Sequence, residues 1–188
     1  MGFVLFFGFF LLLILWGILI RNKIIRYFNA TRRAWSDVTS FELQKVKTLH
    51  HLEQTLQQYT QFEQNTLEKV TQLRQHIMNL NLNDSDISQL QQVEKLNQEL
   101  LQTLHVVVEN YPDLKADQLY IQMMQEIQEQ NENVGAAIHI FNRNVEVFNN
   151  QIQMFPNNII NTLMLSKKAI RPFHDPIIRQ NYDYRPNF

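Results

Sequence analysis

Tyr120, Met124, Ile127, Asn131, Val134, Ile138, Phe141, Val145, Phe148, Ile152 and Phe155 follow one another in alternating steps of four and three. A spacing that averages 3.5 keeps these side chains on one face of an α-helix. It therefore predicts a long helix packed on neighbours along its whole length. Phe141-Asn142 and Phe148-Asn149 repeat at seven residues for the same reason. The two phenylalanines are knobs in the seam, and the two asparagines stand at its edge. There their amides would bond a neighbouring helix or a backbone carbonyl and fix the register. Asn131, within the seam, takes the same reading.

The same period runs through earlier stretches. From about Asn22 to Asn79 nothing breaks a helix, and Val38, Phe41, Leu49, Leu52, Leu56, Tyr59, Leu67, Val70, Leu73, Ile77 and Leu80 recur at helical spacing. This predicts one helix of over fifty residues or two joined by a kink. "NLNLNDSD" (79–86) is a turn, with Asp84 or Ser85 as cap for a second helix carrying Ile87, Leu90, Val93, Leu100, Leu104 and Val107. Pro112 ends that helix, Asp113 caps the third, and Pro156 interrupts the third before a short fourth amphipathic piece at 157–170. Residues 171–188 carry three of the five prolines and no period, and read as an extended, disordered tail with at most a short docking motif. The fold class is all-α: an N-terminal transmembrane helix (1–21) followed by an antiparallel four-helix bundle (22–170).

The span rests on Phe3 to Ile20, 18 residues without a charge or a polar side chain. At about 1.5 Å per residue it reaches roughly 27 Å, near the thickness of a hydrocarbon core. A secretory signal would carry a basic stretch before this run and small residues at a cleavage site after it. Here Met1 and Gly2 precede it and "RNKIIRYF" follows, so the expectation is a retained anchor. Arg21, Lys23, Arg26, Arg32 and Arg33 come before the first acid, Asp37. The positive-inside rule then puts the N-terminus outside and the remainder in the cytoplasm. Trp16, one turn from the boundary, joins those five bases as the candidate membrane-interface set. The bases could hold anionic head groups at roughly 1 kcal/mol each. Tyr27 could belong to this set, whereas Trp35 reads as the start of the packed helix.

Charge and composition narrow the partners. The net charge of −1 hides 16 acids against 7 bases between Asp37 and Ser166, which would repel phosphates, so nucleic acid is excluded as a partner. The absence of Cys removes disulfides, thiolate metal sites and thiol nucleophiles. A carboxylate-bridged metal site in a bundle needs Glu-x-x-His pairs, and no acid stands three residues before any of the 6 His. His50-x-x-Glu53 has the reverse order. An oxidase or hydrolase built on His50 and Glu53 is the alternative reading, and the leading one has no catalytic residue, metal or cofactor. Ser36 lacks a positioned base, and the glycines (2, 8, 17 and 135) make no phosphate loop. Gly135-Ala136-Ala137 permits close helix approach, or offers a contact surface for a partner helix.

"AWSDV" (34–38), "YTQFE" (59–63), "LR" (73–74), "ENYPDLKA" (109–116), "FNRNVEVFN" (141–149) and "FPNNII" (155–160) resemble, in order and spacing, the LemA family of bacterial single-span membrane proteins. The resemblance runs from about Tyr27 to Phe173. It implies a four-helix bundle and no catalytic residues, since the family has no established reaction. It also suggests a place in the bacterial inner membrane. By analogy with a magnetosome relative, it suggests a scaffold or adaptor that binds another protein or organises membrane. Lipid and one protein partner are the expected contacts, with self-association left open. His50-His51 replaces the family's usual helix-starting proline and asparagine, and Ile138 stands where an arginine is usual.

Overall fold

The computed structural model describes residues 1–58, 64–81 and 86–174 (at Val4, the backbone alone). Among the described residues there is no strand. The elements are α1 (Gly2–Gln58), α2 (Gln64–Met78), α3 (Ile87–Asn110), α4 (Pro112–Ala116), α5 (Gln118–Gln153), α6 (Asn157–Ile160) and a π-helical turn (Asn161–Leu165). The chain forms two compact units. The first is Met1–Ala34 with Ile140–Pro172, and the second is Trp35–His139 with Phe173–Phe188. Helices α1 and α5 each contribute to both.

The second unit is the helical bundle, and its side-chain contacts fix the helix directions. Glu53 near the end of α1 meets Thr71 and Arg74 of α2, and Trp35 near the start of this part of α1 donates its indole N–H to the carbonyl of Asn81 at 2.8 Å. α2 therefore runs back along α1. On the other side Lys45 reaches Asn131 and Thr48 reaches Glu126, so α5 is antiparallel to α1 as well. The stripe read between Asn22 and Asn79 is thus two helices in opposite directions, where a single rod or a kink was expected. No Gly or Pro marks the reversal, which is why the pattern hides it. The fourth bundle helix is α2; the piece at 157–170 belongs to the first unit. Tyr59, and the expected caps Asp84 and Ser85, lie outside the described residues, as do positions 175–188.

The seams close as their period requires. Leu49, Leu52, Leu56, Val70, Leu73, Ile77, Leu90, Val93, Leu104 and Ile127 are all buried. Each such side chain contributes about 1.5–3 kcal/mol when fully removed from water. Met123 rather than Met124 is the buried methionine of α5. The cap of α3 is Asp86, whose Oδ1 accepts from the backbone N–H of Ser88 at 3.1 Å and of Gln89 at 3.2 Å. The Ser88 hydroxyl is the main cause that holds this carboxyl below the usual range. Asp113 does not cap the long third helix. It sits in the first turn of α4, and Asp117 caps α5 through the N–H groups of Leu119 and Tyr120. Phe173 is buried and His174 accepts from Gln91 through its carbonyl, so the first residues after Pro172 are held.

In the first unit Ile20 and Ile24 of α1 pack on Phe148 and Ile152 of α5. Phe28 meets Phe148 at a ring separation of 5.5 Å. Val145 and Phe148 are thus inside, as the seven-residue repeat demands. The repeat fails at its last member: α5 stops at Gln153, ahead of Pro156, and Phe155 is 79% exposed. Every described residue from Phe3 to Trp16 is also exposed. α1 is long and apolar enough to cross a membrane.

Burial pushes the Tyr120 hydroxyl up from 10.0 to about 12. The folded chain then keeps a proton that the unfolded chain has released. The Tyr120 contribution is complete below pH 10 and is lost as pH rises through the folded value. Urea midpoints of detergent-solubilised protein should fall above about pH 10, and Tyr120→Phe should fall less over the same range.

Candidate functional site

Two groups of polar side chains stand out, one at the end of the apolar run of α1 and one in the bundle core. At the first, Trp16, Lys23, Arg26, Arg32 and Arg33 are exposed and Arg21 is half-buried. The buried residues of this stretch are Gly17, Ile20, Ile24 and Thr31. At about 100° per residue the five bases occupy the remaining arc of the helix. Trp35 is buried and tied to Asn81, so it belongs to the bundle.

The second group was not recognised as a site in the sequence. Glu42 and Lys45 lie on α1, both with fully buried side chains, and Lys45 Nζ stands 2.9 Å from Glu42 Oε2. Lys45 also donates to Asn131 Oδ1 at 2.9 Å, and Asn97 Nδ2 donates to the same oxygen at 3.1 Å. Asn131 thereby joins α1, α3 and α5. Glu42 Oε1 has no partner among the described residues. The signal was present: Val38, Glu42, Lys45, Leu49, Leu52 and Leu56 form an unbroken stripe of fours and threes. Reading apolar residues alone leaves a gap between Phe41 and Leu49. One turn along, Gln130 donates to Thr48 at 3.1 Å, and the Thr48 hydroxyl donates to Glu126 at 3.3 Å.

Such a layer fits a role in alignment. Taking an ammonium out of water costs several kcal/mol unless it is paired. Glu42 pairs with Lys45 from the same helix, and the contact that depends on register is the one that brings Asn131 to Lys45. The other candidates are engaged locally. Glu53 pairs with Arg74 and accepts from Thr71, so the acid of the His50–Glu53 alternative is held by α2. His50 stands 3.3 Å from Gln54, and His76 Nδ1 lies 2.9 Å from the carbonyl of Gln72. Among the described residues no three His or acidic side chains gather to hold a metal. An open groove of about 490 Å³ between α2 and α3 is lined by Asn65, Lys69, Glu99, Thr103, Val107 and Tyr111. Lys69 spends its ammonium on the Thr103 hydroxyl at 2.8 Å.

The edge asparagine Asn149 bonds a backbone, as expected, but that of a returning strand of chain. Its amide donates to the carbonyl of Ile170 at 2.8 Å and accepts from its N–H at 2.9 Å. Asn161 clamps Lys167 in the same two-bonded manner, at 2.9 and 3.1 Å. The Thr39 hydroxyl donates to the Ser36 carbonyl, a local contact.

Lys45→Met should destabilise the bundle by about 3–5 kcal/mol, because Glu42 is left charged and alone. Replacing both members, Glu42→Leu with Lys45→Met, should recover most of that loss. Urea unfolding followed by circular dichroism compares them, and equal losses would show that the pair is not the source.

Residues 34–174 match the sequence profile of the LemA family. Over 141 residues the chain is 29% identical to Protein LemA of Metamycoplasma hominis, covering 74% of this chain and 63% of that protein. The chain thus spans less than two thirds of the length of that curated relative. The match takes in both the Glu42–Lys45 layer and the returning segment clamped by Asn149 and Asn161. This chain belongs to the LemA family.

Proposed function

We propose that the chain is a membrane-anchored, non-enzymatic scaffold or adaptor whose bundle binds another protein or organises membrane. The observation that carries the reading is α1 itself. One helix of 57 residues supplies both the apolar run and, from Trp35 onward, one wall of the bundle. A chain built this way tethers a folded bundle to a bilayer. The basic arc at Arg21, Lys23, Arg26, Arg32 and Arg33 supports a cytoplasmic bundle and an outer N-terminus in the bacterial inner membrane. The buried polar layer supports a structural role for the charged residues inside, because each of Lys45, Asn97 and Asn131 is bonded to another member.

Two measurements test this. Reporter fusions after Phe188 should be active in the cytoplasm only; activity outside reverses the orientation. In-cell crosslinking with purification of the full chain should recover a reproducible second protein. Recovery of monomer alone under several crosslinkers would contradict the adaptor role.

A further inference from the structure

Exposed large apolar side chains in the bundle are spread over four helices: Leu43 on α1, Met78 on α2, Val106 on α3, and Leu119 and Ile121 on α5. In the first unit, beyond the apolar run, they are concentrated. Met154 and Phe155 just before α6, Ile159 in it, and Leu163 and Met164 in the π-helical turn are 59, 79, 47, 76 and 55% exposed, with Ile140 of α5 apart from them. Exposed apolar residues gathered in this way mark an interaction surface.

The position of this segment along α1 says which surface. Within the first unit, α5 descends beside α1 from Phe148 at Phe28 to Ile152 at Ile20 and Ile24. Beyond α5 the chain goes further: a Cβ placed on Gly17 would stand 3.6 Å from Ile160 Cδ1. It then returns, and Lys167 Nζ lies over the Phe28 ring at 3.8 Å. Gly17 precedes the last residue of the apolar run by three positions and Arg21 by four. At the helical rise, the Ile160 side chain therefore sits about 6 Å inside the level of the first charge. That is the depth, about 5–10 Å, to which interfacial helices bury an apolar face. The charges agree with this placement. The first unit carries nine bases and one acid, Glu146, and Lys167, Lys168 and Arg171 follow directly where the segment climbs back.

We propose that Met154–Met164 is a second membrane contact, an apolar wedge seated in the head-group and upper acyl region of an anionic bilayer beside α1. The Asn161 clamp on Lys167 and the Asn149 clamp on Ile170 close the hairpin, so the wedge is shaped before it meets lipid. The inference rests on the reading of α1 as an anchor.

Because the chain has no Cys, single labelling positions can be introduced on the full-length protein. Leu163→Cys, Leu12→Cys and His105→Cys, each carrying an environment-sensitive fluorophore, are reconstituted in vesicles of phosphatidylcholine with phosphatidylglycerol. All three positions are exposed, so the label displaces no packed side chain. Nitroxide placed high on the acyl chain should quench Leu163→Cys several-fold more than His105→Cys. If Leu12→Cys is quenched by lipid while Leu163→Cys responds only to an aqueous quencher, the wedge is refuted and the anchor stands. If position 163 is shielded from both quenchers, a protein surface covers it and the wedge is again refuted. If Leu12→Cys itself responds as an aqueous site, the anchor fails and takes the wedge with it.

Discussion

Burial of the α5 seam is the constraint on which both units depend. The stripe from Tyr120 to Ile152 runs nearly the full length of a 36-residue helix, and no part of it is stable facing water. Ile127 and Val134 meet this need in the bundle, Phe148 and Ile152 in the first unit. Isolated helices draw little stability from propensity, so an α5 stripped of these contacts would not hold its shape. The helix ends at Gln153, ahead of Pro156, and Phe155 turns outward.

Apolar seams define a face but tolerate sliding by a heptad, because one row of leucines and valines resembles the next. The Lys45 layer removes that freedom. A shift of α5 by one repeat would take Asn131 Oδ1 away from both Lys45 and Asn97, leaving the Lys45 ammonium with Glu42 as its one partner and the buried Asn97 amide without its acceptor. Thr48, Gln130 and Glu126 make a second polar contact between α1 and α5 one turn further on, with longer bonds and with Glu126 exposed. The bundle thus takes its strength from ordinary burial and its register from a few polar residues in and beside the buried seam.

The first unit uses asparagine differently. Asn149 and Asn161 each present an amide edge to one backbone residue, both donating and accepting, as a neighbouring strand would. A short segment without regular structure after Leu165 is thereby kept close to α1 and α5, and Ile170 and Leu165 close over Phe148 and Ile24. The left-handed conformation of Ser166 makes the turn possible, at a position where a side chain is unusual. The result joins a tight reversal, exposed apolar residues and lysines within a short length of chain.

Much of this was legible in the residues. Helical period, the apolar run, the end of α3 at Pro112 and the inward set of Phe141, Val145 and Phe148 all follow from local spacing, because a helix repeats every 3.6 residues whatever surrounds it. The LemA motifs were equally readable, since they are strings of residues. Other features depended on what lay across the core. Glu42 and Lys45 look like surface residues until α5 brings Asn131, itself bonded by Asn97 of α3, to Lys45. The reversal between α1 and α2 carries no Gly or Pro, so only the meeting of Glu53 with Arg74 reveals it. Asp86 and Asp117 cap α3 and α5 because helix starts are set by where the following seam must point. The sequence by itself determined which faces are oily and which segment suits a bilayer, since those are properties of single helices. Only the tertiary structure decided which helix each face meets and where the Met154–Met164 segment lies along α1, because those depend on contacts between residues far apart in the chain.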